Sequence, residues 1–221
     1  MQYLMTISER IQQVFEARTR ARDKALGQAR SLTRHAAHAI RAIHRGEQSV
    51  AYIHLQEAKE LVAAFKADLA DYPDLYYAGY TQDALKEYWE ASITVALIEN
   101  QPLPDPDSLG QEYATYLNGL AEATGELRRR CMDILRQGYS QEAERLLSCM
   151  DDIYAVLVTL DYPDAITNGL RRQTDLVRGI VERTRADLTL ALRQQHLEQS
   201  LDKLSTQLRS TEGIHADDTR L

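Results

Sequence analysis

Apolar residues recur at helical spacing along almost the whole chain, and no stretch alternates apolar and polar residues as a β-strand does. This pattern predicts an all-α fold with about six to seven helices and no sheet. Residues 1–208 form a single predicted helical domain, and residues 209–221 are predicted to be a polar, disordered tail. Proline, glycine and capping residues predict helices at these ranges: Thr6 or Ser8 to Arg45, 48–70, 82–99, 109–136, 140–160 and 164–208.

The first predicted helix is longer than a compact bundle of this size needs. Roughly 40 residues at a rise of 1.5 Å span about 60 Å. Gly46 is a plausible terminator, and Asp107 or Ser108 is the expected cap of the fourth helix. A helix of this length usually covers part of its surface with another subunit, so the sequence predicts self-association.

Composition narrows the class of protein. The 221 residues can bury one sizeable core. No apolar run approaches the ~20 residues that cross a membrane, and the N-terminus lacks a basic segment leading into an apolar one. Two cysteines, Cys131 and Cys149, are too few for a zinc site or a disulfide framework, so we expect both to be reduced. A cytoplasmic protein without a membrane partner fits best.

Basic charge is concentrated on the first predicted helix. Residues 18–45 carry eight basic residues against Asp23 alone, a net charge of +7 in a chain whose total is −7. Such segregation is typical of a polyanion-binding surface, although a solvated helix face is an equally good reading of this segment alone. The eight basic residues are Arg18, Arg20, Arg22, Lys24, Arg30, Arg34, Arg41 and Arg45.

Four glutamates fall into two short pairs. Glu87 and Glu90 are spaced i,i+3, while Glu122 and Glu126 are spaced i,i+4. Each pair projects from one face of its helix, about 60° and 40° apart respectively. If the two faces met, four carboxylates would need protons or a divalent cation between them. Spacing alone does not require them to meet, because such pairs are common on solvated helix faces.

The other motifs mainly exclude classes of chemistry. The chain has no Gly-rich phosphate loop, no Gly-x-Ser-x-Gly, no His-Glu-x-x-His and no Glu-x-x-His of di-iron proteins. Carboxylates without histidine favour Mg²⁺ or Mn²⁺ over iron or zinc. His35 and His38 lie within the basic helix, where phosphate contacts or plain surface positions are more expected than metal ligation.

Two segments carry a resemblance to the translin family. Segment 116–131, YLNGLAEATGELRRRC, resembles the family's Tyr-Leu-x-Gly and Thr-Gly-Glu-Leu block. Segment 86–91, KEYWEA, is similar to the Glu-Tyr-Val-Glu-Ala motif of the catalytic branch, translin-associated factor X. The order of elements also matches over nearly the whole chain, from a long basic first helix ending in His-Arg-Gly to a long last helix. The resemblance implies a long-helix bundle of the translin type.

The resemblance also implies a function. Members of the catalytic branch are metal-dependent endoribonucleases of single-stranded RNA, and the positions matching Glu87, Glu90, Glu122 and Glu126 hold their metal. Glu122 departs from the familiar eukaryotic aspartate, and its extra methylene would alter the metal geometry. The family assembles into hollow shells of roughly eight subunits, which predicts a homo-octamer here.

The resemblance therefore predicts a catalytic site and an RNA surface. Expected partners are single-stranded RNA, possibly single-stranded DNA, and further copies of the chain. Two alternatives stay open: a non-catalytic RNA- or DNA-binding oligomer like translin, and a helical scaffold for a protein partner. The four glutamates are the predicted catalytic and metal-binding residues. The eight basic residues of the first helix, with Arg129 and Arg130, are the predicted RNA contacts.

Overall fold

The fold is a bundle of α-helices, as the sequence predicts. A computed structural model describes the backbone of residues 1–110 and 112–217, and no strand occurs in this part of the chain. A single 3₁₀ turn, Pro106–Ser108, adds to the helices. The helices are α1 Gln2–His44, α2 Gln48–Asp68, α3 Pro73–Tyr76, α4 Gly79–Ile98, α5 Tyr113–Leu135, α6 Gln141–Leu157, α7 Asp164–Thr167 and α8 Leu170–Asp217.

Two predicted helix starts are wrong. Helix α1 begins at Gln2 without a side-chain cap, and Thr6 lies inside it, where its hydroxyl donates to the Gln2 carbonyl. Helix α5 begins only at Tyr113, because the Asp105 side chain accepts from the Asp107 amide and caps the 3₁₀ turn instead. Helix α1 thus uses neither predicted capping residue, whereas before α5 the local turn uses Asp105 rather than Asp107 or Ser108.

The last predicted helix is divided in two. Asn168 and Gly169 both take positive φ angles, 54° and 82°, which end α7 and reorient the chain before α8. Helix α8 then continues past the predicted end near 208, as far as Asp217. The predicted disordered tail comprises residues 209–221. Residues 218–221, and the side chains of all residues from 209 onward, lie outside the described part of the chain.

Helices α4 and α5 form the centre of the bundle. Helix α1 packs on α2 and α4, whereas α6 and α8 pack on α5. Phe65, Trp89 and Leu127 are fully buried, and the Trp89 ring meets Tyr116 of α5 edge-on, with 5.1 Å between ring centroids. This arrangement places the first glutamate pair, on α4, directly against the second pair, on α5.

Both long helices extend beyond the core. In α1 no residue before Ala25 is buried, and its first half exposes several large apolar side chains.

Cys131 is buried and Cys149 is partly buried, and both are free thiols, as predicted. Among the described residues, no helix is both long and apolar enough to cross a membrane.

Candidate functional site

The close crossing of α4 and α5 depends on Gly119. A Cβ atom at this position would lie 2.7 Å from the Trp89 Cβ, 2.9 Å from the Lys86 carbonyl oxygen and 3.0 Å from the Glu90 amide nitrogen. Only glycine allows the backbone of α5 to approach α4 this closely. The contact lies between the two glutamate pairs in sequence and in space, so it determines how near the carboxylates come.

Three of the four predicted carboxylates converge at this crossing. Glu87, Glu90 and Glu122 each offer an oxygen, and these oxygens all lie within 4.8 Å of one another. Opposite oxygens around an octahedral Mg²⁺ are about 4.1 Å apart, given bonds of 2.0–2.1 Å. Small side-chain rotations would therefore bring all three onto one ion. We call this group the carboxylate cluster.

The carboxylate cluster carries unfavourable negative charge. Burial, together with the charges of Glu87, Glu122 and Glu126, raises the pKa of Glu90 to about 8. Burial also raises the pKa of Glu87, assisted by the charge of Glu122. Near neutral pH the cluster therefore retains a proton or needs a cation. An all-oxygen donor set of this kind fits a hard divalent ion such as Mg²⁺ or Mn²⁺.

A lysine supplies part of the compensating charge. The Lys86 ammonium donates to the Glu122 carboxylate at 2.8 Å, and the Gln173 amide of α8 donates to the same oxygen at 3.2 Å. Burial alone would lower the pKa of Lys86, but the hydrogen bond and charge of Glu122 hold it above its ordinary value. The Lys86 ammonium thus neutralises part of the negative charge of the carboxylate cluster.

Glu126 lies at the edge of the cluster rather than within it. Its carboxylate meets the His44 Nε2 of α1 at 2.6 Å and the Arg129 guanidinium at 3.5 Å. The hydrogen bond from His44 lowers the pKa of Glu126, so this carboxylate stays ionised. His44 is almost wholly buried, with 3% of its side chain exposed. The structure thus places Glu122 inside the group of three and directs Glu126 toward α1.

The eight basic residues predicted on α1 are all exposed. Four of them are engaged in ion pairs: Arg18 with Asp74, Arg20 with Glu16, Arg22 with Asp23, and Lys24 with Asp68.

The other four predicted α1 residues form an arginine face. Arg30, Arg34, Arg41 and Arg45 fall within about 60° of one another around the helix, opposite the buried alanines. No ion pair engages these four within the part of the chain that the structure describes. The arginine face leads along α1 toward His44, which contacts the site at Glu126.

The predicted arginines of α5 have different surroundings. Arg129 is exposed and pairs with Glu126, whereas Arg130 is half-buried and its Nε has no hydrogen-bond partner among the described residues. Neighbouring Arg128 binds Thr184 and Asp187 of α8, so it holds two helices together.

Sequence reasoning missed His44, Lys86 and Gln173 as members of the site. Lys86 stands beside Glu87 in the motif, so it was visible as a neighbour of the cluster. The other two gave no local signal, because Gln173 and His44 reach their glutamates across 51 and 82 residues of chain.

These features define an all-α bundle protein with an acidic site between two crossing helices. No family model matches the chain. An uncharacterized protein of Methanocaldococcus jannaschii is 29% identical over 187 residues, which cover 83% of this chain and 82% of that protein. The crystal structure of the Archaeoglobus C3PO, AfC3PO, is 34% identical with a TM-score of 0.77, covering 83% of this chain and 95% of that chain. The chain belongs to the translin family, which includes C3PO.

Two further structures are similar. AfC3PO in complex with duplex RNA is 33% identical with a TM-score of 0.75, covering 86% of this chain and 96% of that chain. The apo C3PO of Nematostella has a TM-score of 0.74 at 21% identity, covering 85% of this chain and 96% of that chain, and supports the fold alone.

Proposed function

We propose that the chain is a metal-dependent endoribonuclease of the catalytic translin-associated factor X type, which cleaves single-stranded RNA within a homo-oligomeric shell. The observation that carries the proposal is the carboxylate cluster: Glu87, Glu90 and Glu122 lie within 4.8 Å of one another, and the pKa of Glu90 is raised to about 8. A protein that only binds RNA gains nothing from three half-buried carboxylates grouped this closely, since they repel phosphate.

Glu87, Glu90 and Glu122 would hold Mg²⁺ or Mn²⁺, and Glu126 would join through a modest rotation or a bridging water. A bound ion of this kind lowers the pKa of a coordinated water and neutralises charge on the phosphate under attack. As a ligand, Glu90 would have to lose its proton to water, because a ligating carboxylate must be ionised. His44 fixes the orientation of Glu126, and Lys86 stabilises Glu122.

RNA would bind along the arginine face. Its four unpaired guanidinium groups suit phosphate contacts, which position a strand without reading its sequence. The duplex RNA held by AfC3PO supports RNA as the ligand. The ion-paired Arg18, Arg20, Arg22 and Lys24 would contribute less, because each pair would have to break first.

Self-association would cover the exposed apolar stripes of the long helices. On α8 the exposed leucines follow a 4-3-4 spacing typical of a coiled-coil seam. A second stripe runs along the exposed first half of α1, so each chain offers two apolar surfaces for assembly. The count of eight subunits in the proposed homo-octamer is what the translin resemblance implies. The α8 leucines are Leu197, Leu201, Leu204 and Leu208, and the α1 residues are Leu4, Ile11, Val14 and Phe15.

A nuclease assay tests the proposal. Labelled RNA, single-stranded or in a duplex of the same sequence, is incubated with the protein in increasing Mg²⁺ or Mn²⁺, and EDTA is added to a parallel series. We expect metal-dependent cleavage of the single strand, lost in Glu90→Gln and retained in Glu60→Gln, an exposed glutamate of α2. RNA binding without cleavage at any metal concentration would instead establish the non-catalytic binding oligomer.

A further inference from the structure

A second group of potential metal ligands joins α1 to α2. His35 of α1 places its Nδ1 3.2 Å from the Nδ1 of His54 and 2.7 Å from Oε2 of Glu57, both on α2. The His54 Nδ1 lies 3.2 Å from the same Glu57 oxygen. Three ligand atoms from three residues therefore face one point. None of these residues belongs to the carboxylate cluster.

We infer that His35, His54 and Glu57 form a binding site for a transition-metal ion of the Zn²⁺ type. With Zn–N bonds of 2.0–2.1 Å, adjacent ligands of a tetrahedral ion are about 3.3 Å apart. Two of the three observed separations are 3.2 Å. The third, 2.7 Å between His35 and Glu57, needs to open by about 0.6 Å, which a glutamate side chain allows by rotation.

The helix geometry holds the ligands in place. His54 and Glu57 are spaced i,i+3 on α2, so they lie on one face, and His35 approaches from the neighbouring helix. His38, also on α1, packs edge-on against the His54 ring with centroids 5.0 Å apart and fixes its orientation. Between a fifth and a half of each ligand side chain is exposed, which leaves the remaining coordination position open to water.

The donor types determine which ion the site takes. Two imidazole nitrogens and one carboxylate oxygen suit Zn²⁺, Co²⁺, Ni²⁺ or Cu²⁺, whereas Mg²⁺ prefers oxygen ligands alone. The carboxylate cluster has the opposite preference, since it offers only oxygen. The chain thus presents two sites of different chemistry, and excess Mg²⁺ can satisfy one without filling the other.

The same contacts have a metal-free explanation, in which Glu57 accepts hydrogen bonds from both imidazoles. A titration separates the two. Protein stripped of metal and held in excess Mg²⁺ is titrated with Co²⁺, followed by its visible absorption, and with Zn²⁺, followed by calorimetry. We expect one equivalent of either ion to bind per chain, and Zn²⁺ to raise the melting temperature by tying α1 to α2.

Matched variants locate the ion. His54→Gln and Glu57→Gln should each weaken Zn²⁺ binding by more than the ~10–100-fold that loss of an outer-shell partner causes. His196→Gln, an exposed histidine of α8, should leave binding unchanged. The Glu90→Gln variant should also retain the ion, which separates this site from the carboxylate cluster. No saturable binding to the wild-type protein, or equal binding to wild type and His54→Gln, overturns the inference.

Discussion

The raised pKa of the half-buried Glu90 carboxyl group makes the stability of the metal-free protein sensitive to pH. The pKa of this carboxyl is about 8 in the folded state, against 4.5 for an unperturbed glutamate. Between these two values the folded state holds a proton that the unfolded chain has released. Stability therefore falls as pH rises through this window, since ionisation is favoured by unfolding. Replacing Glu90 by Gln removes the titration and keeps the size of the side chain.

The size of the effect follows from the separation of the two pKa values. One pKa unit corresponds to about 1.4 kcal/mol. By linkage, the cost of a buried Glu90 is about 1 kcal/mol at pH 5 and about 4 kcal/mol at pH 8. The free energy of unfolding of Glu90→Gln, relative to that of the wild type, should thus rise by about 3 kcal/mol from pH 5 to pH 8.

Urea unfolding of both proteins in EDTA, at matched protein concentration, measures this difference across the pH range. Matched concentration is necessary because the proposed assembly would stabilise the folded chain by mass action. Added Mg²⁺ should reverse the order at pH 8, stabilising the wild type but not the variant. Parallel stability profiles in EDTA would show that Glu90 is not a buried acid in a crowded cluster.

Three further substitutions probe the site. Gly119→Ala should destabilise the protein by about 1–3 kcal/mol and reduce metal-dependent cleavage, because its Cβ would force α5 away from Trp89. The control Gly125→Ala has open space around its Cβ and should change neither stability nor cleavage in the same unfolding and nuclease assays. Lys86→Met should lower the Mg²⁺ concentration for half-maximal cleavage, since the ion no longer competes with the ammonium; a higher midpoint would contradict this role. The double substitution Arg34→Gln and Arg41→Gln should weaken RNA binding and reduce the slope of log K against log salt concentration by about 1.4. An unchanged slope would show that these arginines are only solvated.

The sequence predicted the helical class because the long helices carry their own signals, whereas the four-residue helix α3 falls between two predicted helices. Helical spacing and proline breaks located α2, α4 and α6 within about three residues at each end. The break between α7 and α8 escaped prediction because Asn168 needs a left-handed conformation that its sequence permits but does not require. The two predicted caps failed for different reasons, since α1 begins without any side-chain cap, and before α5 several capping residues competed and the turn selected Asp105.

The candidate site was only partly visible in the sequence. Periodicity put each glutamate pair on one helix face, yet nothing local revealed that Gly119 would bring those faces together. The resemblance to the translin family joined the pairs, but it singled out Glu122 as the departure from the family's site and favoured Glu126 as a ligand, whereas in the structure Glu122 belongs to the carboxylate cluster and Glu126 lies at its edge. That distinction arises from α1, whose His44 binds Glu126 and turns it away from the other three carboxylates.

The position of His44 would connect the proposed RNA surface to the carboxylate cluster. It lies in the last turn of α1, between Arg41 and Arg45 in sequence, and is buried against Glu126 of α5. Any displacement of α1 by RNA bound to the arginine face would therefore act on Glu126 first. Because Glu126 helps to raise the pKa of Glu90, releasing it toward the cluster would add negative charge where the metal binds. On the proposed function, this arrangement would give tighter metal binding when RNA is present, and by linkage tighter RNA binding when metal is present.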